Sequence, residues 1–495
     1  MDRFSPATLH RVPAAIRRPD YDRTMVATGI VHLGLGAFHR GHQAVYTDAL
    51  LKDDPRWGIL GVSLRSPDTR DALQPQGGLY SVSASDGATL QRRVIGALTG
   101  LVVAPEDPAG LLRRLAEPSV RVVSTTVTEK GYSHDPATGV LRTDDPDIRH
   151  DSLDLTHPCS TLGVIVGGLR LRRQQGLPPF AVLACDNLPA NGHTLRGLVV
   201  AFAELLDRDL AKWIADEVRF PSTMVDRIVP ATTDADRDEV RAAFGLEDAW
   251  PIVTEPFSQW VIEDNFGGDR PDWDGSGAQF VRDVAPFELM KLRLLNGAHS
   301  TLAYLGYLMG CQTVAEAMAE PALAQFVADM MREDVTPTLP ALGGFDVAAY
   351  RAALMARFRN PALKHRTSQI AMDGSQKLPQ RVLGTIRDRL ALGLPIARLA
   401  LAVAGWMRYV SGTDEQGQPI ELHDPLAARL RALANDVGPV AGRLAPALLS
   451  VTSIFGSDLP ADRRFTIPVE TALDRLLRHG ARTTIEQIVR DGALI

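Results

Sequence analysis

Four short apolar runs limit what this chain can fold into: GIVHLGLG (29–36), WGILGVSL (57–64), VRVVSTTVT (120–128) and FAVLACDN (180–187). Each is bounded by turn residues and is too short for a typical helix, so each reads as a buried strand. Helical patterns separate them. HQAVYTDALLK follows the first run, and 108–117 and 159–175 lie between later ones. Strands alternating with helices imply a mainly parallel sheet covered on both faces, an α/β, doubly wound arrangement of Rossmann type.

After about residue 285 the texture changes. Helical periodicities dominate over 286–309, 313–333, 346–358, 378–391, 395–410, 425–435 and 468–480, and strand-like runs almost vanish. The Gly-, Asp- and Pro-rich stretch FGGDRPDWDGSGAQF (266–280) marks the change. A chain of 495 residues also exceeds what one core usually holds. The expected division is a dinucleotide-binding domain over 1–285 and a mainly α-helical substrate and catalytic domain over 286–495.

Composition excludes several classes. With 53 Lys and Arg against 59 Asp and Glu, the net charge is -6, which gives no nucleic-acid footprint. It leaves room for an anionic small substrate, for which a few local cations suffice. The three cysteines, Cys159, Cys185 and Cys311, are odd in number and none is paired at metal-ligand spacing. A reduced, cytoplasmic protein without structural disulfides or a metal is expected. The opening MDRFSPATLHRVPAAIRRPD has no apolar core of a signal peptide. The apolar run LALAVAGWM (399–407) is far short of a membrane span, which needs about 18 residues. A monomer or small homo-oligomer fits this composition.

GLGAFHRG places Gly34, Gly36 and Gly41 where the first strand meets a helix. The spacing, G-x-G-x-x-x-x-G, departs from the usual dinucleotide fingerprint, and a lone glycine triplet is weak. Its position after a buried strand is what favours a pyrophosphate. Phe38, His39 and Arg40 sit in the turn. Arg40 either neutralises phosphate or is an exposed loop arginine. Asp68, in SLRSPD after the second strand, suits the hydroxyls of an adenosine ribose and so NAD; Arg65 pulls toward NADP.

KLRLLNGAHS (291–300) poses a chemical question, because it sets Lys291, Asn296 and His299 in an otherwise apolar helix. At 100° per residue the three span an arc of about 140°, with Glu288 one turn before Lys291. A solvent-facing polar stripe is the ordinary explanation. The apolar flanks VAPFELM and TLAYLGYLMG favour a cleft lining instead. A partly desolvated lysine can act as a general base, and asparagine amides suit a developing oxyanion. CDNLPANG (185–192) adds Asn187 at the end of the fourth strand, while Asp186 and Asn191 suit turn and capping roles.

GLGAFHRGHQAVYTD, TVTEKGY, CDNLPANGH, FPSTMVDRIVPAT, EPFSQWVIEDNF and KLRLLNGAH together resemble the mannitol dehydrogenase family of metal-independent, long-chain polyol dehydrogenases. The resemblance runs from about residue 28 into the C-terminal region, and the set is specific although no one motif is. It implies that Lys291 is the general acid/base, that Asn187 and Asn296 form the oxyanion pocket, that His299 bonds a substrate hydroxyl, and that Glu288 passes the proton to solvent. It also implies that Glu129 and Lys130, with Val225 and Asp226, lie near the nicotinamide ribose or the cleft. RPDWDGSGAQFVRDV, HRTSQIAMDGSQKLPQR and GWMRYVSGTDEQG are similar to the branch that reduces fructuronate. A hexuronate carboxylate needs a cation. Lys364, His365, Arg366, Lys377 and Arg381 are the available groups, with Arg366 and Lys377 the leading candidates. A polyol 2-dehydrogenase acting on mannitol, arabinitol or sorbitol is the alternative. A nucleotide-binding regulatory protein is a further one, against which the Lys–Asn–His set argues.

Overall fold

The computed structural model describes residues 2–135, 138–363 and 365–492, with the side chains of Glu129 and Lys130 outside the description. The chain forms two compact units, Met1–Ala285 and Pro286–Ile495.

The first unit carries the strands β1 (Thr28–Leu33), β2 (Gly58–Ser63), β3 (Tyr80–Ser85), β4 (Leu90–Ile95), β5 (Leu98–Val103), β6 (Val122–Thr125), β7 (Ala181–Ala184), β8 (Thr223–Asp226), β9 (Ile252–Thr254), β10 (Gln259–Glu263) and β11 (Gln279–Val281). The main sheet has the order β5-β2-β1-β6-β7, and all its pairings are parallel. The chain steps outward from β1 through β2 to β5, then returns to the other side of β1. This reversal between β1 and β6 opens a crevice beyond the carboxyl ends of the strands, where doubly wound sheets bind ligands.

Both faces of this sheet are covered, which is why its strands read as continuous apolar runs. Alternate residues serve opposite cores. Val31 and Leu33 pack with Leu111, Leu112, Ile165 and Phe202, whereas Ile30 packs with Trp57, Tyr80 and Trp260. The helices Pro108–Leu115, Thr161–Gln174 and Asn191–Leu206 supply the first of these layers. The smaller sheets, β4-β3-β9 and β11-β10-β8, went unrecognised in the sequence. Their strands are short or polar on one face; β4, LQRRVI, buries only its last two residues.

The second unit contains helices throughout its described residues. Ala397–Val410 is buried along most of its length and packs on Gly297–Leu308 and Arg463–Asp491. The last of these is broken at Gly480, whose φ is 76°. Among the described residues three segments are π-helical: Lys291–Asn296, Met330–Val335 and Pro379–Leu383. The expected fold class, a Rossmann-type unit followed by a mainly helical one, is the observed one. Among the described residues no helix is long and apolar enough to cross a membrane.

Candidate active site

At the end of β1 two glycines do different work. Gly34 has φ 96°, and a Cβ on it would stand 2.3 Å from the Thr126 carbonyl oxygen. The chains leaving β1 and β6 therefore touch through a bare Cα, and the Thr126 hydroxyl donates to the Gly34 carbonyl at 2.9 Å. Gly36 is extended, at φ -103° and ψ -173°, which suits any residue. A Cβ there would meet nothing nearer than the Gly34 oxygen at 3.8 Å. Nothing in the fold demands glycine at 36. A group approaching the exposed backbone from outside would, and a pyrophosphate fits that requirement. Gly41 packs instead, since its Cβ would press on Val229 and Ile252 at 3.0–3.1 Å.

Arg40 corrects an expectation. It is 1% exposed, donates to the Trp250 carbonyl at 2.8 Å, and lies over the Tyr80 and Trp250 rings. Its guanidinium ties the turn to the rest of the unit, with Nε donating to the Gly36 carbonyl at 3.4 Å. His39 is also buried, stacked on His32 with ring centroids 3.4 Å apart, and neither of its nitrogens has a partner among the described residues. Burial holds its pKa well below the usual histidine value, so it is a neutral imidazole behind the turn. Phe38 is half-buried against His42. Asp68 is exposed and opens the helix Asp68–Leu73 beyond β2, and Arg65 is exposed as well.

At the end of β7 the neighbours of Asn187 are occupied in holding strands together. The Asp186 carboxylate accepts from Thr125 Oγ1 at 2.9 Å, Val127 N at 2.5 Å and the Tyr132 hydroxyl. Burial raises its pKa to about 7. The Asn191 amide donates to the Asp186 and Thr223 carbonyls and accepts from Thr223 N, tying β7 to β8. Neither residue caps the following helix by its side chain, because Ala190 stands at the N-cap. Asn187, three residues past β7, is exposed. Val225 and Asp226 lie in β8, paired with Trp260 and Gln259 of β10, and are 2% and 4% exposed. Val225 is a core residue packed in the Trp260 layer. Glu129 begins the short turn Glu129–Tyr132, but its side chain, like that of Lys130, lies outside the described residues.

In the second unit, the helix expected as one α-helical run is Ala285–Met290, a π turn over Lys291–Asn296, and Gly297–Leu308. This changes the face. In an α-helix residues five apart diverge by about 140°. In a π turn, residue i+5 hydrogen-bonds back to residue i, so Lys291 and Asn296 stack on one side. Both are partly exposed, as is Glu288. Gly297 permits the geometry, since a Cβ there would stand 2.9 Å from the carbonyl oxygen of Arg381 in a second π turn.

That approach brings a basic cluster together around His299. The His299 ring is 7% exposed and lies 4.7 Å from Phe358 and 5.1 Å, edge-on, from His365. Burial first, then His365, Arg357 and Arg381, hold its pKa well below the usual value, so it stays neutral. Arg381 donates to Ser300 Oγ at 3.2 Å, and burial lowers its pKa. Among the described residues no carboxylate pairs with it.

The two leading candidates for a carboxylate reader sit in different surroundings, Lys377 near Arg381 and Arg366 in solvent. The Lys377 ammonium donates to the Met372 carbonyl at 2.6 Å and the Ile370 carbonyl at 3.4 Å, tying its own segment together. Arg366 is exposed at the N-cap of Thr367–Ala371, its backbone bridged to Thr313. Lys364 lies outside the described residues. His365 and Arg381 were in the basic set but not preferred; Arg357 went unnoticed in RFRN. The spacing of Arg381, four after Lys377, was the signal that could have raised it.

Comparison with known proteins decides the family. The description "Mannitol dehydrogenase Rossmann domain" matches residues 28–275, and "Mannitol dehydrogenase C-terminal domain" matches 283–477. The chain belongs to the mannitol dehydrogenase family. It is 46% identical over 475 residues to the D-mannonate oxidoreductase of Escherichia coli (strain K12), covering 95% of this chain and 97% of that one. A mannitol 2-dehydrogenase of Pyricularia oryzae is 40% identical over 487 residues, covering 96% of each chain. Among solved structures, Pseudomonas fluorescens mannitol 2-dehydrogenase in ternary complex with NAD and D-mannitol matches with a TM-score of 0.85 at 38% identity, covering 99% of this chain and 100% of that one. A substrate-free D-sorbitol dehydrogenase matches at 0.91 and 32%, covering 98% and 100%. The protein is an oxidoreductase of this family, as its motifs indicated.

Proposed function

We propose that the protein interconverts the secondary alcohol of D-mannonate and the ketone of D-fructuronate, with NAD as hydride carrier and Lys291 as general acid/base. NAD supplies hydride acceptance and donation when bound. Its place is supported by the strand-order reversal beside β1, the open backbone at Gly34–Gly36 and Asp68 beyond β2. In the oxidative direction the Lys291 amine takes the hydroxyl proton as the C–H bond gives up its hydride, and Glu288 passes that proton to solvent. Asn296, one π turn along from Lys291, donates to the oxygen as charge develops on it; Asn187 is the corresponding donor of the first unit. His299, whose burial disfavours the charged form, orients a substrate hydroxyl.

The observation that carries the choice of a sugar acid is Arg381, a largely buried guanidinium beside His299 with no carboxylate partner among the described residues. A buried, unpaired cation is costly unless an anion arrives to share the site. A hexuronate carboxylate is such an anion, and Arg381 replaces Arg366 and Lys377 as its reader. The competing reading, a polyol 2-dehydrogenase, is favoured by the mannitol 2-dehydrogenase relatives. NADH oxidation assayed over fructuronate, tagaturonate, fructose and xylulose separates the two. A charge-assisted contact of about 1.5–3 kcal/mol favours fructuronate over fructose by roughly 10- to 150-fold. Arg381→Met should shrink that ratio chiefly through KM for the hexuronate. Fructose or mannitol as the better substrate of the unaltered protein would defeat the sugar-acid reading.

A further inference from the structure

His150, Asp151 and Cys159 share no residue with the glycine turn or the Lys291 helix. His150 and Asp151 lie on the helix Pro146–Leu153, and Cys159 stands just before Ser160, the N-cap of Thr161–Gln174. The fold brings together residues whose sequence spacing showed no metal pattern. One nitrogen, His150 Nδ1, faces both Asp151 Oδ1 at 3.0 Å and Cys159 Sγ at 3.5 Å. Both meet at the one ring nitrogen, the thiol also donates to the His157 carbonyl at 3.8 Å, and the three donor atoms all lie within 4.8 Å of one another. Around a tetrahedral zinc, a sulfur at about 2.3 Å and a nitrogen at about 2.0–2.1 Å stand roughly 3.5 Å apart.

The carboxylate is held ready. Asp151 Oδ2 accepts from Ser160 N at 2.8 Å and Ser160 Oγ at 2.6 Å, and Oδ1 accepts from Cys159 N at 2.8 Å. The absence of a side chain at Gly163 makes room, since a Cβ there would stand 2.0 Å from Asp151 Oδ2. Once His150 turns from Oδ1 to a shared ion, that oxygen keeps a lone pair for the ion as well. Such outer hydrogen bonds are what orient ligating carboxylates. Asp147 and Asp154 add negative charge around the thiol.

We propose that His150, Asp151 and Cys159 form a surface site for a borderline-soft divalent metal, zinc by its ligand chemistry, with one coordination position open to water. Binding releases the thiol proton to solvent, leaves His150 as the neutral tautomer with its proton on Nε2 so that Nδ1 can ligate, and pins the end of one helix to the start of the next. The site is peripheral to turnover. The test uses the full-length, untagged protein, stripped with a chelator and titrated with cobalt(II), then zinc. Equimolar cobalt should produce a thiolate-to-cobalt charge-transfer band that zinc displaces. The band should vanish in Cys159→Ser, and zinc affinity by calorimetry should fall at least tenfold in His150→Ala. Cys185 and Cys311 are buried, and Cys159 is the exposed thiol. The His150 side chain is 47% exposed, so both variants should keep the fold, as circular dichroism would verify. No charge-transfer band in protein whose Cys159 titrates as a reduced thiol, a band retained in Cys159→Ser, or zinc affinity unchanged in either variant would overturn the site.

Discussion

Gly36→Ala should separate folding from cofactor binding. The backbone there is extended, at φ -103° and ψ -173°, and the added methyl would meet nothing nearer than 3.8 Å. The fold should accept it, with stability unchanged or raised by up to about 1 kcal/mol through a stiffer unfolded chain. A pyrophosphate lying against this turn would meet the same methyl. Overpacking against a rigid neighbour costs about 1–3 kcal/mol, which weakens NADH about 5- to 150-fold. Gly34→Ala should do the reverse damage. Its φ of 96° is strained for alanine, at about 1–3 kcal/mol. Its Cβ would stand 2.3 Å from the Thr126 carbonyl, which moves only if the segments after β1 and β6 part. Urea unfolding and NADH fluorescence titration on both variants decide the matter. Unaltered NADH affinity in Gly36→Ala, or a loss of stability matching that of Gly34→Ala, would refute the reasoning.

Lys291→Ala should cut turnover by about 10²–10⁴-fold while NADH affinity stays near that of the unaltered protein; a variant keeping most of its rate would remove Lys291 from the chemistry. Asp186 gives a pH prediction. Burial raises its pKa from 3.8 to about 7, so its protonated form is favoured in the fold. A raised folded-state pKa contributes stability that is full below about pH 4 and lost as pH rises through about 7. Urea stability followed over that window should fall less steeply in Asp186→Asn than in the unaltered protein, and equal slopes would show that Asp186 does not titrate there.

The strands β1, β2, β6 and β7 were legible because burial on both faces leaves an unbroken apolar run, and the helices between them because period and turn residues agree. The strands β3–β5 and β8–β11 were not, since partly exposed faces and lengths of three to six residues leave little local signal. The chemistry of KLRLLNGAH was also legible, as lysine, amide and imidazole in an apolar setting. What the chain by itself determined is therefore the periodicities, the domain order, the family motifs and the kinds of group available. Which groups are free to act was decided by tertiary structure. Arg40 sits in the glycine turn, yet it is buried with its guanidinium over the rings of Tyr80 and Trp250, 40 and 210 residues away. The π turn that stacks Asn296 over Lys291 leaves no mark in sequence, because it depends on Gly297 meeting a carbonyl from a distant segment. Arg366, Lys377 and Arg381 differ for the same reason: local spacing places a basic residue on a helix, but only packing decides whether its charge is spent on a carbonyl, left in water, or held partly buried near His299.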